Sequence, residues 1–262
     1  DFSPNADKAL DFAVQIAKYA KAKIVLVHAC DLLELTFKDN FALKKEFNRK
    51  IIMEAKGKLS LHKKSIEETE KVPVQTKLYE GLITGTILYA AKLHKADIII
   101  MGTLGSAGAK EKILGSKTAG VVGKINIPVL AVPLLSEWDI PRKILLAINN
   151  FKEGTDSVIY PVFELAELFK AEVHIVKFSD ADKTDLDDYL ADERNGNGYI
   201  RKLKERFKKV KIKFTHPEGH KFEKAIGKYI SENVIDLAAM ITHERTLVKS
   251  IFKRSMTKKM SY

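Results

Sequence analysis

An apolar stretch of the chain runs into glycines and hydroxyl side chains. The stretch ends at Met101, Gly102 and Gly105 follow, and Gly115 and Ser116 come after nine further residues. Glycine has no Cβ, so backbone N–H groups can approach an anion there, and it accepts positive φ angles that turn amides toward one point. A helix beginning near Ser116 would add the positive end of its dipole. The pattern predicts a phosphate-binding loop; the alternative is an ordinary turn in which glycines only reverse the chain.

The composition indicates a soluble globular protein of about two domains, on a prior of ~150 residues per domain. The chain has 262 residues, 45% of them hydrophobic. No apolar run approaches the ~20 residues that cross a bilayer, and the first residues lack the order of a signal peptide. The single cysteine, Cys30, excludes an internal disulfide, so we expect a cytoplasmic protein. Cys30 is expected to end a strand.

The formal charge of +11 could attract nucleic acid, an anionic membrane or a nucleotide. The lysines are spread along helical stretches, and the densest basic segment, residues 201–213, alternates them with apolar residues. This spacing is typical of a solvated face on a packed helix and strand, so the sequence disfavours nucleic acid as a partner.

The chain contains a diverged internal repeat. Residues 2–22 align without gaps to residues 151–171, an offset of 149, and the apolar positions at helical spacing coincide. Later the offset is 139, with Asp97 opposite Asp236 and Met101 opposite Met240. The long helical insert of the first copy, residues 37–70, is shortened to residues 186–209 in the second. In the first copy, Ser3 and Pro4 make a plausible N-cap and first helical turn.

Each copy alternates strands and helices, and its strands are almost continuously apolar, as parallel strands buried on both faces are. The sequence therefore predicts an α/β fold of two doubly wound open parallel sheets with five strands each and flanking helices. The predicted domains are residues 1–135 and 142–262, joined by a linker at 136–141. Residues 143–148 predict a central strand that has no counterpart before Asp1, and the second copy stops before its last strand. We therefore expect the sheets to be completed by residues beyond both ends.

The pattern Gly-x2-Gly-x9-Gly-Ser, placed before the apolar residues 127–133, resembles the nucleotide loop of the universal stress protein family. Over its whole length the chain resembles a tandem member of that family, with two such domains. The resemblance implies the adenine nucleotide alpha hydrolase-like fold and ATP as ligand, with or without Mg²⁺. It assigns Gly102, Gly105, Gly115 and Ser116 to the phosphate and ribose, and Asp1 to the adenine side. Further candidate nucleotide-binding residues are Val27, Met101, Thr103, Lys117 and Thr118.

The second copy departs from this pattern. Ile241, Glu244 and Arg254 stand where the loop has glycines, and Asn150 stands in the place of Asp1. Side chains would fill the space that phosphates need, and Glu244 adds like charge. We therefore expect one nucleotide site, in the first domain, with the second domain structural or regulatory and packed against the first as two subunits pack in dimeric relatives.

The sequence offers little catalytic or metal-binding chemistry. The Gly-Lys pairs lack the other residues of a P-loop, and His216 and His220 bracket Pro217 and Gly219, which excludes a helical zinc pair. The acidic run 180–188 is typical of a solvated helix start, and residues 195–198, Asn-Gly-Asn-Gly, predict a turn. Because no catalytic base is evident near the loop, binding is better supported than turnover.

The leading hypothesis is an ATP-binding stress-response protein in which nucleotide binding by the first domain modulates contacts between domains or with a partner. A homodimer is a further expectation. The alternatives are a slow ATPase or autophosphorylating enzyme, and a nucleotide-free interaction scaffold.

Overall fold

The computed structural model of the chain describes residues 1–32, 41–103, 115–148, 156–180, 186–216, 218–219 and 222–241. The chain divides into two compact units, Asp1–Trp138 and Asp139–Tyr262. The division falls within residues 136–141.

The first unit alternates helices and strands. Its described elements are α1 (Pro4–Ala20), β1 (Ile24–Cys30), α2 (Phe41–Thr69), β2 (Val74–Glu80), α3 (Ile83–Leu93), β3 (Ile99–Gly102), α4 (Ser116–Val121) and β4 (Val129–Val132). Strands β1 and β2 pair in parallel, with Ile24 opposite Val74. Strands β3 and β4 also pair in parallel, with Gly102 opposite Val132. Cys30 is buried at the end of β1, as predicted.

Helix α1 begins as its sequence predicts. The Ser3 hydroxyl accepts a hydrogen bond from the Ala6 N–H at 3.3 Å, and Pro4 occupies the first turn, where its missing N–H costs nothing. The predicted N-cap is therefore confirmed. The apolar face of α1 contributes Val14 and Ala17 to a buried cluster with residues of α2 and β2.

The second unit contains a four-stranded parallel sheet. Its described elements are β5 (Lys143–Ile148), α5 (Asp156–Phe169), β6 (Glu172–Lys177), β7 (Ser179–Asp180), α6 (Leu186–Arg206), β8 (Ile212–Thr215), β9 (Glu218–Gly219), α7 (Phe222–Asn233) and β10 (Leu237–Met240). The strand order is β10-β5-β6-β8, and β7 pairs separately with β9. Strands β5 and β6 are almost wholly buried, as their continuous apolar character requires.

The parallel α/β architecture is confirmed, and the strand pairing differs between the units. In the second unit β5 lies between β10 and β6. Within residues 1–32, 41–103 and 115–138 of the first unit no strand is equivalent to β5, and the four strands form two pairs. The expected five strands per sheet are therefore not all present in the described ranges, because the central strand that would join β1 to β3 is not among them.

The repeat is visible in the helix ends. Helix α1 ends at Ala20 and α5 at Phe169, which preserves the offset of 149. A lysine with left-handed backbone geometry follows each helix, Lys21 at φ 51° and Lys170 at φ 55°. The two copies thus leave their first helix in the same way.

The turn predicted at residues 195–198 is wrong, because α6 continues through both glycines. Each glycine costs a helix about 1 kcal/mol relative to alanine. Packing after this segment offsets that cost: Ile200 and Leu203 are buried, and the Tyr199 hydroxyl donates to Asp156 Oδ1 at 2.5 Å. Of the acidic run, Asp187 and Asp188 lie in the first turn of this helix, Asp180 belongs to β7, and residues 181–185 lie outside the described ranges.

Candidate functional site

The carboxyl end of β3 is covered by the first turn of α1. A Cβ added to Gly102 would lie 2.6 Å from the Asn5 backbone oxygen, closer than real Cβ contacts allow. The next residue, Thr103, is buried, and its N–H donates to the Val132 oxygen at 3.0 Å. Glycine is therefore required at position 102 because the α1 backbone occupies the space of a side chain.

The two ends of the predicted phosphate loop lie together. The Gly115 N–H donates to the Thr103 oxygen, and α4 begins at the next residue, Ser116, as expected. The buried Thr118 hydroxyl donates to the Gly102 oxygen at 2.7 Å, which ties α4 to β3. Gly105 and the other residues at 104–114 lie outside the described ranges.

Asp1 reaches the same region from the other end of the unit. Its Oδ1 accepts hydrogen bonds from the Ser3 hydroxyl at 2.6 Å and the Ser3 N–H at 3.3 Å. Its Oδ2 lies 3.8 Å from Lys117 Nζ. Both side chains are partly exposed, so this ion pair adds little stability. It nevertheless brings together two residues that the sequence assigns to one site.

An aromatic and basic cluster next to Asp1 was not predicted. The Phe2 ring stacks on His28 with centroids 4.5 Å apart, and His62 lies parallel to it at 6.0 Å. Lys58 Nζ lies 5.4 Å from the Phe2 ring centroid. Burial lowers the pKa of His28 to about 4, and the charges of Lys117 and Lys58 add to the shift. The available sequence signal was His28 directly after the candidate Val27.

The two candidates for packing against the adenine, Val27 and Met101, lie in β1 and β3. Val27 is half-buried in β1, opposite Lys77 of β2. Met101 packs against the buried cluster of Ala91, Ile99 and Val121, so it serves the core of the unit as well. The contacts above join Asp1, Gly102, Thr103, Gly115, Lys117 and Thr118.

A family model, "Universal stress protein family", matches residues 1–133. The chain belongs to the universal stress protein family. Universal stress protein MJ0577 of Methanocaldococcus jannaschii is 32% identical over 146 residues, which cover 50% of this chain and 90% of that protein. Universal stress protein MJ0531 of the same organism is 30% identical over 129 residues, covering 48% of this chain and 73% of that protein.

The fold likeness extends over both units. A universal stress protein structure from Archaeoglobus fulgidus covers 97% of this chain and 92% of its own, with a TM-score of 0.67 at 19% identity. At that identity the likeness concerns the fold alone. Universal stress protein architecture therefore accounts for the parallel strands and flanking helices described here.

The second universal stress protein-like unit differs at the position equivalent to His28. At the offset of 149 this is Lys177, the last residue of β6, which is 4% exposed. Ile241 directly follows β10 and is half-buried. Asn150, Glu244 and Arg254 lie outside the described ranges, so the expected loss of phosphate space there stays a prediction.

The described ranges contain neither a metal-binding cluster nor a membrane-spanning helix. No group of three or more His, Cys, Asp or Glu side chains in them could hold a metal ion. Among the helical residues that are described, no helix has the length and apolar character needed to cross a bilayer.

Proposed function

We propose that the first unit binds an adenine nucleotide, ATP, at the carboxyl ends of β1 and β3, and that the second unit does not. The observation that carries the proposal is the junction of Thr103 with Gly115. Their hydrogen bond brings the two residues that flank positions 104–114 together at the carboxyl end of a parallel strand. Ligands of doubly wound sheets bind at such ends.

The residues present fit a nucleotide. Some of the candidates would contact it, and others position those that do. The hydroxyl of Ser116 is exposed at the start of α4, and Lys117 provides a positive charge beside it. Thr118 and Gly102 position α4 against the end of β3, since the threonine hydroxyl donates to the Gly102 oxygen. Asp1 faces the adenine side, Val27 and Met101 flank the base, and backbone groups of the loop that contains Gly105 bind the phosphates.

The nucleotide would act as a regulator. Occupancy changes how the unit meets the second unit, a second copy of the chain, or another protein. A cytoplasmic location is part of this proposal and rests on the single, buried cysteine.

The proposal is tested by purifying the full chain natively, extracting it with acid, and identifying released nucleotide by mass spectrometry. ATP at 100 times its dissociation constant should also add about 2.7 kcal/mol to the free energy of unfolding. Gly115→Val places a branched side chain at the loop junction and should abolish both effects. Gly57→Val is the matched control, because a Cβ at Gly57 in α2 meets nothing within 4 Å.

Measurements on the same preparation distinguish the proposed function from its alternatives. Equal nucleotide in the wild type and Gly115→Val would overturn the assignment of the site. Phosphate release that Gly115→Val abolishes would indicate the slow ATPase. The absence of any stabilisation by ATP would favour the nucleotide-free scaffold.

A further inference from the structure

We propose that the side-chain oxygen of Asn5 accepts a hydrogen bond from a ribose hydroxyl of the nucleotide bound by the first unit. This inference rests on the proposed function and adds a residue that selects for the sugar. It begins from a buried polar atom that makes no hydrogen bond within the described part of the chain.

Asn5 lies in the first turn of α1 and is only 7% exposed, yet its Oδ1 has no hydrogen-bond partner among the residues that the structure describes. A buried acceptor left unpaired destabilises the folded chain unless a ligand provides a donor. Its neighbour Ser3 is also buried, but the Ser3 hydroxyl donates to Asp1 and accepts from Ala6. The start of α1 thus contains one polar side chain with two hydrogen bonds and one oxygen that has none to the described residues.

The position of Asn5 places its side chain beside the candidate site. The Cβ of Asn5 would lie 2.9 Å from a Cβ placed on Gly102, so its side chain starts directly against the end of β3. The Gly102 oxygen accepts from Thr118 on the α4 side. Asn5 therefore borders the point where β3 passes into the predicted loop.

The chemistry of the oxygen selects its partner. An amide oxygen only accepts hydrogen bonds, and phosphate oxygens and adenine ring nitrogens are acceptors as well. The donors of ATP are its ribose hydroxyls and its exocyclic amino group. Because the proposed function assigns Asp1 to the adenine side, the ribose hydroxyls are the donors left for Asn5.

The test compares ATP, 2′-deoxy-ATP, 3′-deoxy-ATP and tripolyphosphate by calorimetric titration of the full chain. The wild type is expected to bind one of the deoxy nucleotides about tenfold more weakly than ATP. Asn5→Leu, which has a similar size and no polar atom, should bind ATP about tenfold more weakly, lose the preference for the ribose hydroxyl, and bind tripolyphosphate like the wild type.

Two further variants complete the design. Tyr229→Phe removes a buried hydroxyl from the second unit, where it lies 2.9 Å from His174 Nδ1, and should leave all four affinities unchanged. Asn5→Ala repeats the measurement with a strong helix former if Asn5→Leu does not fold. Thermal unfolding without nucleotide checks that each variant is folded.

The outcomes separate a failure of the Asn5 inference from a failure of the proposed nucleotide site. If the wild type binds ATP and both deoxy nucleotides equally, or if Asn5→Leu and Asn5→Ala bind ATP like the wild type, Asn5 does not contact the ribose and the nucleotide site stands. An equal loss for tripolyphosphate in the variants also overturns the inference, because the damage is then general. If the wild type binds none of the nucleotides, the proposed function and the inference both fail.

Discussion

The hydroxyl of Thr118 donates a hydrogen bond across 2.7 Å to the backbone oxygen of Gly102. Both residues belong to the predicted nucleotide site, and Thr118 is 2% exposed. The bond joins the last residue of β3 to the first turns of α4. Thr118 therefore positions the loop ends in this structure.

Thr118→Val keeps the shape of the side chain and removes this bond. The Gly102 oxygen then loses a buried donor, so the free energy of unfolding should fall by about 1–2 kcal/mol in urea titrations. Thr69→Val is the matched control, since the Thr69 hydroxyl donates to a backbone oxygen at 2.8 Å on the exposed side of α2. A control loss as large as that of Thr118→Val would contradict the buried role.

Gly102→Ala should destabilise the first unit by about 1–3 kcal/mol, because the new Cβ meets the Asn5 backbone at 2.6 Å and a helix must shift. Gly57→Ala should have the opposite effect, a gain of about 0.5–1 kcal/mol, because alanine has no steric cost in the open helix position. Denaturant unfolding of the two variants measures both changes. An unchanged free energy of unfolding for Gly102→Ala would show that the Asn5 backbone does not restrict the side chain at position 102.

Val234 is expected to be a strained residue after α7. It has φ 51° with a side chain 65% exposed, and a β-branched residue is unfavourable in left-handed geometry. Val234→Gly should therefore raise the free energy of unfolding by about 1 kcal/mol. Val158→Gly, at a partly exposed helical position in α5, should lower it by a similar amount. Destabilisation by Val234→Gly would exclude strain at this position.

The stability of the first unit should fall as pH is lowered from about 6.5 to 4. The pKa of His28 is about 4 in the folded protein and about 6.5 when unfolded, so the unfolded chain binds the extra proton in this window. The free energy of unfolding therefore gains a term that rises with pH through the window and is complete above it. NMR titration of the His28 ring measures the folded pKa directly.

His28→Phe is the control for this pH dependence. It retains an aromatic ring against Phe2, whose centroid is 4.5 Å from that of His28, and it cannot bind a proton. Its unfolding free energy should vary less between pH 6.5 and 4 than that of the wild type. A wild-type His28 resonance that titrates near pH 6.5 would contradict the prediction.

Local rules predicted much of the fold. The N-cap at Ser3, the helix start at Ser116 and the strand over residues 143–148 follow from short stretches of sequence, and all three are confirmed. The turn at residues 195–198 failed because helix propensity is weaker than the packing of Ile200 and Leu203, which lie beyond the glycines.

The candidate site shows the same division. The glycine spacing predicted which strand end and which helix start form the candidate site. It did not predict that Gly102 makes room for Asn5 or that the Thr118 hydroxyl bonds to the Gly102 oxygen. The stacking of Phe2 on His28 was also missed, because it joins the chain start to a strand end through a contact that neither residue signals locally.

The sequence by itself determined the alternation of helices and strands, the repeat and the family, because periodicity and glycine spacing act over a few neighbouring residues. Only the tertiary structure decided which polar atoms of the described residues are hydrogen-bonded and which are buried without a partner there. Burial and hydrogen bonding depend on residues as far apart as Asn5 and Gly102, and these meet only after the chain has folded.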